Sequence, residues 1–156
     1  MKALVWLPVM PEFTVSSATF ADSQQVLRLM LGLAEFEEYL PHFAVTEAEL
    51  IQRAFVKRDF NILVAKQDSL VLGMLVYYRL PFSYDLKPWY VIKELFVAAP
   101  YRSLGVGEAL MAYLAKACCE QGASKLRWDV LHSNVAAQRF YQRLGARHNA
   151  RWLGYE

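Results

Sequence analysis

The segment Glu94–Gly107, ELFVAAPYRSLGVG, runs as an apolar strand to Val97, turns through Pro100 and presents two glycines before a long amphipathic helix. The first backbone N–H groups of a helix have no internal acceptor, and the helix dipole adds about half a positive charge there. Gly105 and Gly107 let the backbone approach a ligand closely and reach φ > 0. The loop Arg102-Ser103-Leu104-Gly105-Val106-Gly107 therefore reads as a pyrophosphate cradle, with Arg102 as an added charged donor. A plain tight turn before a helix would use the same two glycines. Two nucleotide motifs fail at named positions. A P-loop needs Lys-Ser/Thr after its last glycine, where Glu108-Ala109 stands, and a dinucleotide fingerprint needs a third glycine at Leu110.

Working outward, Val106, Ala109, Leu110, Tyr113, Leu114 and Ala117 form the apolar stripe of the helix, and Gly122 caps its end. Lys125–Leu131 alternates as a strand, with Leu126, Trp128 and Val130 on one face. Asn134 is a good N-cap for a helix bearing Ala137, Phe140, Tyr141 and Leu144, which Gly145 stops. Upstream, Tyr90–Val97 reads as a central strand, preceded by a loop at Phe82–Pro88. Ile62–Lys66 and Leu70–Leu80 form a hairpin around Gln67-Asp68-Ser69. Phe13–Phe20 reads as a first strand, and Asp22 with Gln25 as a capping box for a helix through Ala34. Thr46 with Glu49 repeats that signal for a second helix carrying Leu50, Ile51, Ala54 and Phe55. A last short strand is expected around Arg147–Tyr155. The order is β-α-α-β-β-β-α-β-α-β, an α/β fold on a mixed sheet flanked by helices.

The whole chain, 1–156, reads as a single domain, since no repeat, low-complexity tract or linker divides it. With 56% hydrophobic and 21% charged residues it can bury a core. Its Lys and Arg are scattered and the formal charge is +2, which argues against a nucleic-acid partner. Pro8, Pro11 and Glu12 break the apolar start Ala3–Met10, too short for a signal peptide, and no run approaches the ~18 apolar residues of a membrane span. Cys118 and Cys119 are neighbours within a helix and cannot pair there, which fits a reducing, cytoplasmic setting. His42, His132 and His148 lack metal-ligand spacing, so no metal is expected.

Glu94–Gly107 resembles motif A of the GNAT superfamily of N-acetyltransferases: a strand, R/Q-x-x-G-x-G/A, then a helix. Asn134–Ala146, NVAAQRFYQRLGA, resembles that family's N-x-x-A-x-x-F-Y-x-x-x-G-F/A signature, and the element order is similar over nearly the whole chain. Leu33–Tyr39 (LAEFEEY), Phe82–Asp85 (FSYD) and Lys93–Val97 (KELFV) resemble the spermidine/spermine and thialysine acetyltransferase branch.

This resemblance implies an N-acetyltransferase that moves an acetyl group from acetyl-CoA to a primary amine of a small molecule, polyamine- or lysine-like, by direct attack in a ternary complex. The cosubstrate's pyrophosphate would meet Arg102, Ser103, Leu104, Gly105, Val106 and Gly107, and its pantetheine arm would lie along Leu95, Phe96 and Val97, with Asn134 as a further contact. A backbone N–H near Val97 would polarise the thioester carbonyl. Tyr141 would be the general acid for the thiolate, although its place on an apolar face also suits a core residue. Glu94 is the candidate base, with a bound water or solvent as the alternative. The branch usually carries Glu-Asp on this strand, whereas this chain has Lys93-Glu94; strand alternation sets those two on opposite faces. Glu37 and Asp85 would line a cationic amine site, although Glu35, Glu37 and Glu38 also read as one solvated face. Trp89, Trp128 and Trp152 read as core.

Two rival functions share these motifs: an acyl-CoA-binding sensor, and an acetyltransferase acting on a peptide or protein amine. Relatives of this kind often continue past Tyr155 into another strand. A partner copy could cover the sheet edge left open, so a homodimer is expected.

Overall fold

The computed structural model describes residues 12–81 and 84–151. The apolar stretch 3–10, Phe82 and Trp152 lie outside them. Five strands form one sheet in the order β1-β2-β3-β4-β5: β1 Thr14–Ser17, β2 Asn61–Gln67, β3 Leu70–Leu80, β4 Trp89–Val97 and β5 Lys125–Trp128. Pairing is antiparallel from β1 to β4 and parallel between β4 and β5, which the helix α3 (Val106–Glu120) connects. A parallel neighbour needs such a crossover, and the glycine loop is its first turn.

Helices cover both faces. α1 (Ser23–Phe36) and α2 (Glu47–Ile51) pack over Ile62, Val64, Met74 and Val76, while α3 covers Leu63, Leu75, Tyr90 and Ile92. The last helix, α4 (Val135–Arg143), joins the α3 side through Phe140, Tyr141 and Leu144. α3 buries Val106, Leu110, Met111, Leu114 and Cys118, so the stripe is rotated from the expected one and Tyr113 is exposed. Cys118 is buried as expected, and burial pushes its thiol up to about 11, which leaves it inert.

Three expected boundaries are corrected. The first strand ends at Ser17, and Phe20 opens a short 3-10 turn against Phe55, with ring centroids 4.9 Å apart. The capping pair at that turn is Thr19 with Asp22, not Asp22 with Gln25. Gln25 instead ties α1 to the hairpin, donating to Ser69 O at 2.8 Å and accepting from the Val71 N–H at 2.9 Å. Residues 147–151 of the last expected strand are irregular, and the rest of it lies outside the described residues. The capping box at Thr46 and Glu49 forms as read.

Asp22 is 4% exposed and accepts from the Thr19 N–H at 2.8 Å, the Thr19 hydroxyl at 2.9 Å and Lys66 Nζ at 3.1 Å. Burial alone would push its carboxyl up, but the Thr19 N–H, Lys66 and the Thr19 hydroxyl together hold it below the usual value. Its stabilisation is therefore present above the unfolded-state pKa and lost as pH falls through the lower folded-state one. Asp22→Ala leaves the Lys66 ammonium half-buried and alone, at an expected cost of about 3 kcal/mol. Thermal unfolding should give a large Tm drop at pH 7 that narrows under acid; an equal drop at every pH would refute the ionic origin.

Candidate active site

β4 pairs with β5 only at Trp89–Ile92, against Lys125–Trp128. Beyond Ile92 the edge of β4 that faced β5 has no strand partner among the described residues, because β5 stops at Trp128 and 129–131 leave the sheet. This opens a notch along 93–97. A bulge adds to it: Val76 pairs with Glu94 and Tyr77 with Ile92, so Lys93 drops out of the β3–β4 ladder.

The bulge resets which way each side chain faces. Ile92, Leu95 and Val97 pack on the α3 side, while Phe96 packs with the α1 and α2 side. Glu94 pairs with Val76, a residue of that second core. The expectation that Lys93 and Glu94 point to opposite faces rested on unbroken alternation, which the bulge interrupts; Lys93 and Glu94 both interact electrostatically with Glu37 at the end of α1. Glycine at position 32 lets α1 come close, since a Cβ there would meet the Phe96 ring at 3.0 Å.

At the far end of the notch, Ser103 and Gly105 adopt left-handed φ of 62° and 81°. Ala109 N–H makes the first helical bond of α3, to Gly105 O at 2.9 Å, so the N–H groups of Val106, Gly107 and Glu108 have no backbone acceptor among the described residues. A Cβ at Gly105 would meet nothing within 4 Å. These groups fit a pyrophosphate. The role of Arg102 is divided: Nε donates to Val97 O at 3.0 Å, and the guanidinium lies over Phe96 at 5.3 Å. Asn134 uses Oδ1 to cap α4, accepting from the Ala137 N–H at 3.0 Å.

Acid–base groups gather at the other end. Glu94 Oε2 is buried with no hydrogen-bond partner among the described residues, and burial reinforced by the Glu37 charge raises its carboxyl above the usual value. Tyr141 is half-buried, its ring 5.0 Å from that of Trp128, and burial together with Glu37 pushes its phenol up. Of the acidic trio only Glu37 turns inward, because the chain leaves α1 with Glu38 at φ 61°; Glu35 and Glu38 are exposed. Burial raises Glu37, and Lys93 partly offsets that. Tyr39 joins the same field: burial, Glu94 and Glu37 all push its phenol up. Sequence reasoning assigned Tyr39 no role, although it closes the LAEFEEY segment. A groove of about 410 Å³ runs beside Glu37, between Phe36, Leu131, Ser133, Asn134 and Val135.

Asp85 stands apart. It accepts from the Lys87 N–H at 3.1 Å and the Ser124 hydroxyl at 3.4 Å, before the start of β4. About 17 Å of strand separates Trp89 from Glu94. Asp85 thus lies toward the start of β4, whereas Glu37 acts on Glu94 near its other end.

Among the described residues no group of His, Cys, Asp or Glu could hold a metal ion, and no helix is long and apolar enough to cross a membrane. Residues 27–146 match the model of the acetyltransferase (GNAT) family. The chain is 28% identical to a thialysine N-epsilon-acetyltransferase of Mus musculus, covering 90% of this chain and 89% of that one. An L-ornithine N5-acetyltransferase of Arabidopsis thaliana is 31% identical over 54% of this chain and 37% of its own. The fold matches an aminoglycoside acetyltransferase from an uncultured soil metagenomic sample, with a TM-score of 0.76, 20% identity, and 92% and 95% of the two chains covered. The open notch, the glycine loop and the sequence match lead to one assignment: the chain belongs to the acetyltransferase (GNAT) family.

Proposed function

We propose that this chain transfers an acetyl group from acetyl-CoA to a primary amine of a small molecule, polyamine- or lysine-like, by direct attack in a ternary complex. One observation carries the reading: the unpaired edge of β4 runs from free helix N–H groups at one end to a buried carboxylate and a half-buried phenol at the other. Acetyl-CoA, when bound, supplies a thioester. The loop Arg102–Gly107 holds its pyrophosphate through the free N–H groups that open α3, with Asn134 as a further contact, and the edge at Leu95, Phe96 and Val97 takes the pantetheine arm. A backbone N–H near Val97 stabilises the oxyanion.

The bond formed joins the amine nitrogen to the acetyl carbon, and the bond broken is carbon–sulfur. Glu94, directly or through a water, takes the proton the nitrogen loses, and Tyr141 gives one to the departing thiolate. Glu37 and Asp85 line the site of a cationic acceptor. The same reading makes the protein cytoplasmic, in keeping with the free Cys118 and Cys119, and a homodimer; a monomer by light scattering would count against the dimer.

Thiol release from acetyl-CoA, measured against spermidine, thialysine, an aminoglycoside and short peptides, tests the reaction. Turnover on a small amine is expected. Tight acetyl-CoA binding with no turnover on any acceptor would overturn the reading in favour of a sensor.

A further inference from the structure

We propose, resting on the acetyl transfer above, that Arg102 is a positioning residue: its Nε–H caps the last carbonyl of the open β4 edge and so sets the register in which the pantetheine arm pairs with that edge. The Ala98 N–H donates to Leu72 O at 3.0 Å, so Ala98 bonds toward β3. Opposed residues of an antiparallel pair alternate between bonded and non-bonded pairs. Val97 and Leu95, opposite Gly73 and Leu75, therefore turn their N–H and C=O groups to the other edge, into the notch. There Arg102 Nε donates to Val97 O at 3.0 Å. A 3-10 turn at Ala99–Tyr101 brings the chain back far enough to make that bond.

An extended arm can slip along a strand by two residues and meet the same donors and acceptors, because the strand repeats with that period. A filled acceptor at Val97 removes the alternative: an amide N–H of the arm pairs with Leu95 O and not with Val97 O. The thioester is then held at one depth along β4. The charge of Arg102 is placed elsewhere. Its guanidinium lies 5.3 Å from the Phe96 ring centroid and 6.0 Å from that of Phe36, on the face that α1 covers. The free N–H groups belong to α3, which covers the opposite face. What Val97 O requires is an N–H at the Nε position, and a glutamine amide nitrogen stands the same number of bonds from Cα.

Kinetics with acetyl-CoA and with S-acetylpantetheine, a thioester that carries the arm without the pyrophosphate, test the assignment. Arg102→Met should lower kcat/KM ~10-fold for both thioesters, about the worth of one hydrogen bond. Arg102→Gln should restore most of that loss. Arg102→Lys, which keeps the charge and loses the Nε donor, should not. A pyrophosphate ligand would give the opposite pattern, with rescue by Arg102→Lys and a response from acetyl-CoA alone. That pattern overturns the proposal, and so does an equal loss, or no loss, in all three variants. A residue that only braces the fold would lower Tm and leave the CoA dissociation constant of the folded protein unchanged, which also overturns it. If the wild-type chain turned over no acceptor, the transfer reading would fail, but calorimetric CoA affinity across the same variants would still decide. Arg102→Gln binding more tightly than both Arg102→Lys and Arg102→Met supports the cap, and any other order refutes it.

Discussion

Tyr141→Phe is expected to lower kcat ~100- to 1,000-fold, within the range for loss of a positioned general acid, with little change in KM for acetyl-CoA. The substitution removes one oxygen and keeps the ring, whose neighbours Trp128 and Phe140 lie at centroid distances of 5.0 and 5.2 Å. Packing is conserved, so a stability loss cannot mimic the effect. Burial and the Glu37 charge push the phenol above its ordinary value, which keeps it protonated at neutral pH. The protonated form is the donor, so activity should hold as pH rises and fall only when the phenol ionises, above the usual tyrosine range. Tyr141→Phe should lose that alkaline limb as well as rate. Steady-state kinetics over pH separates the roles: a loss under tenfold with the limb unchanged would make Tyr141 a packing residue.

How far the sequence foretold this site depended on whether the determining physics was local. The loop between β4 and α3 was legible because it needs only a strand end, two glycines and a helix start. Gly105 does adopt the left-handed φ that its identity permits. Asn134 was legible for the same reason, since capping is a contact over three residues. The faces of Lys93 and Glu94 were not. Alternation along β4 holds only while each residue has a partner on β3, and the bulge is a property of the pairing that no single strand encodes. The capping pair at Asp22 was misassigned because Asp22 serves the turn before it, leaving Gln25 to bond a hairpin far along the chain. Glu37 could be singled out of its trio by resemblance, but the reason it turns inward is the left-handed residue that follows it. Tyr39 carried no recognisable signal, since only the folded chain brings it near Glu94.

Glu94→Gln should separate activity from stability. Glutamine keeps the shape of the side chain but can neither ionise nor take the proton from the amine, so kcat/KM is expected to fall ~100-fold. Burial first, and then the Glu37 charge, raise the carboxyl above its ordinary value, with Lys93 as a smaller opposing influence. The base form is the carboxylate, so wild-type activity should fall as pH drops through that raised value, and the variant should lack the acid limb. The stability sign is opposite to that of Asp22. A carboxyl whose folded-state pKa is raised contributes stability below its unfolded-state value and loses it as pH rises through the folded-state one. Above that raised value the wild-type chain carries a charged group with one buried oxygen that lacks a partner among the described residues, and there relief of that charge should raise Tm by ~2–4 °C, the shift about 1 kcal/mol gives at this chain length. The gain should vanish at acid pH, where the wild-type carboxyl is already neutral. A variant both slower and less stable above that value would mean that Glu94 is held by contacts that offset its burial, and the strained-base account would fail. A slower and more stable variant would identify Glu94 as a group kept at a cost to the fold because the reaction uses its charge.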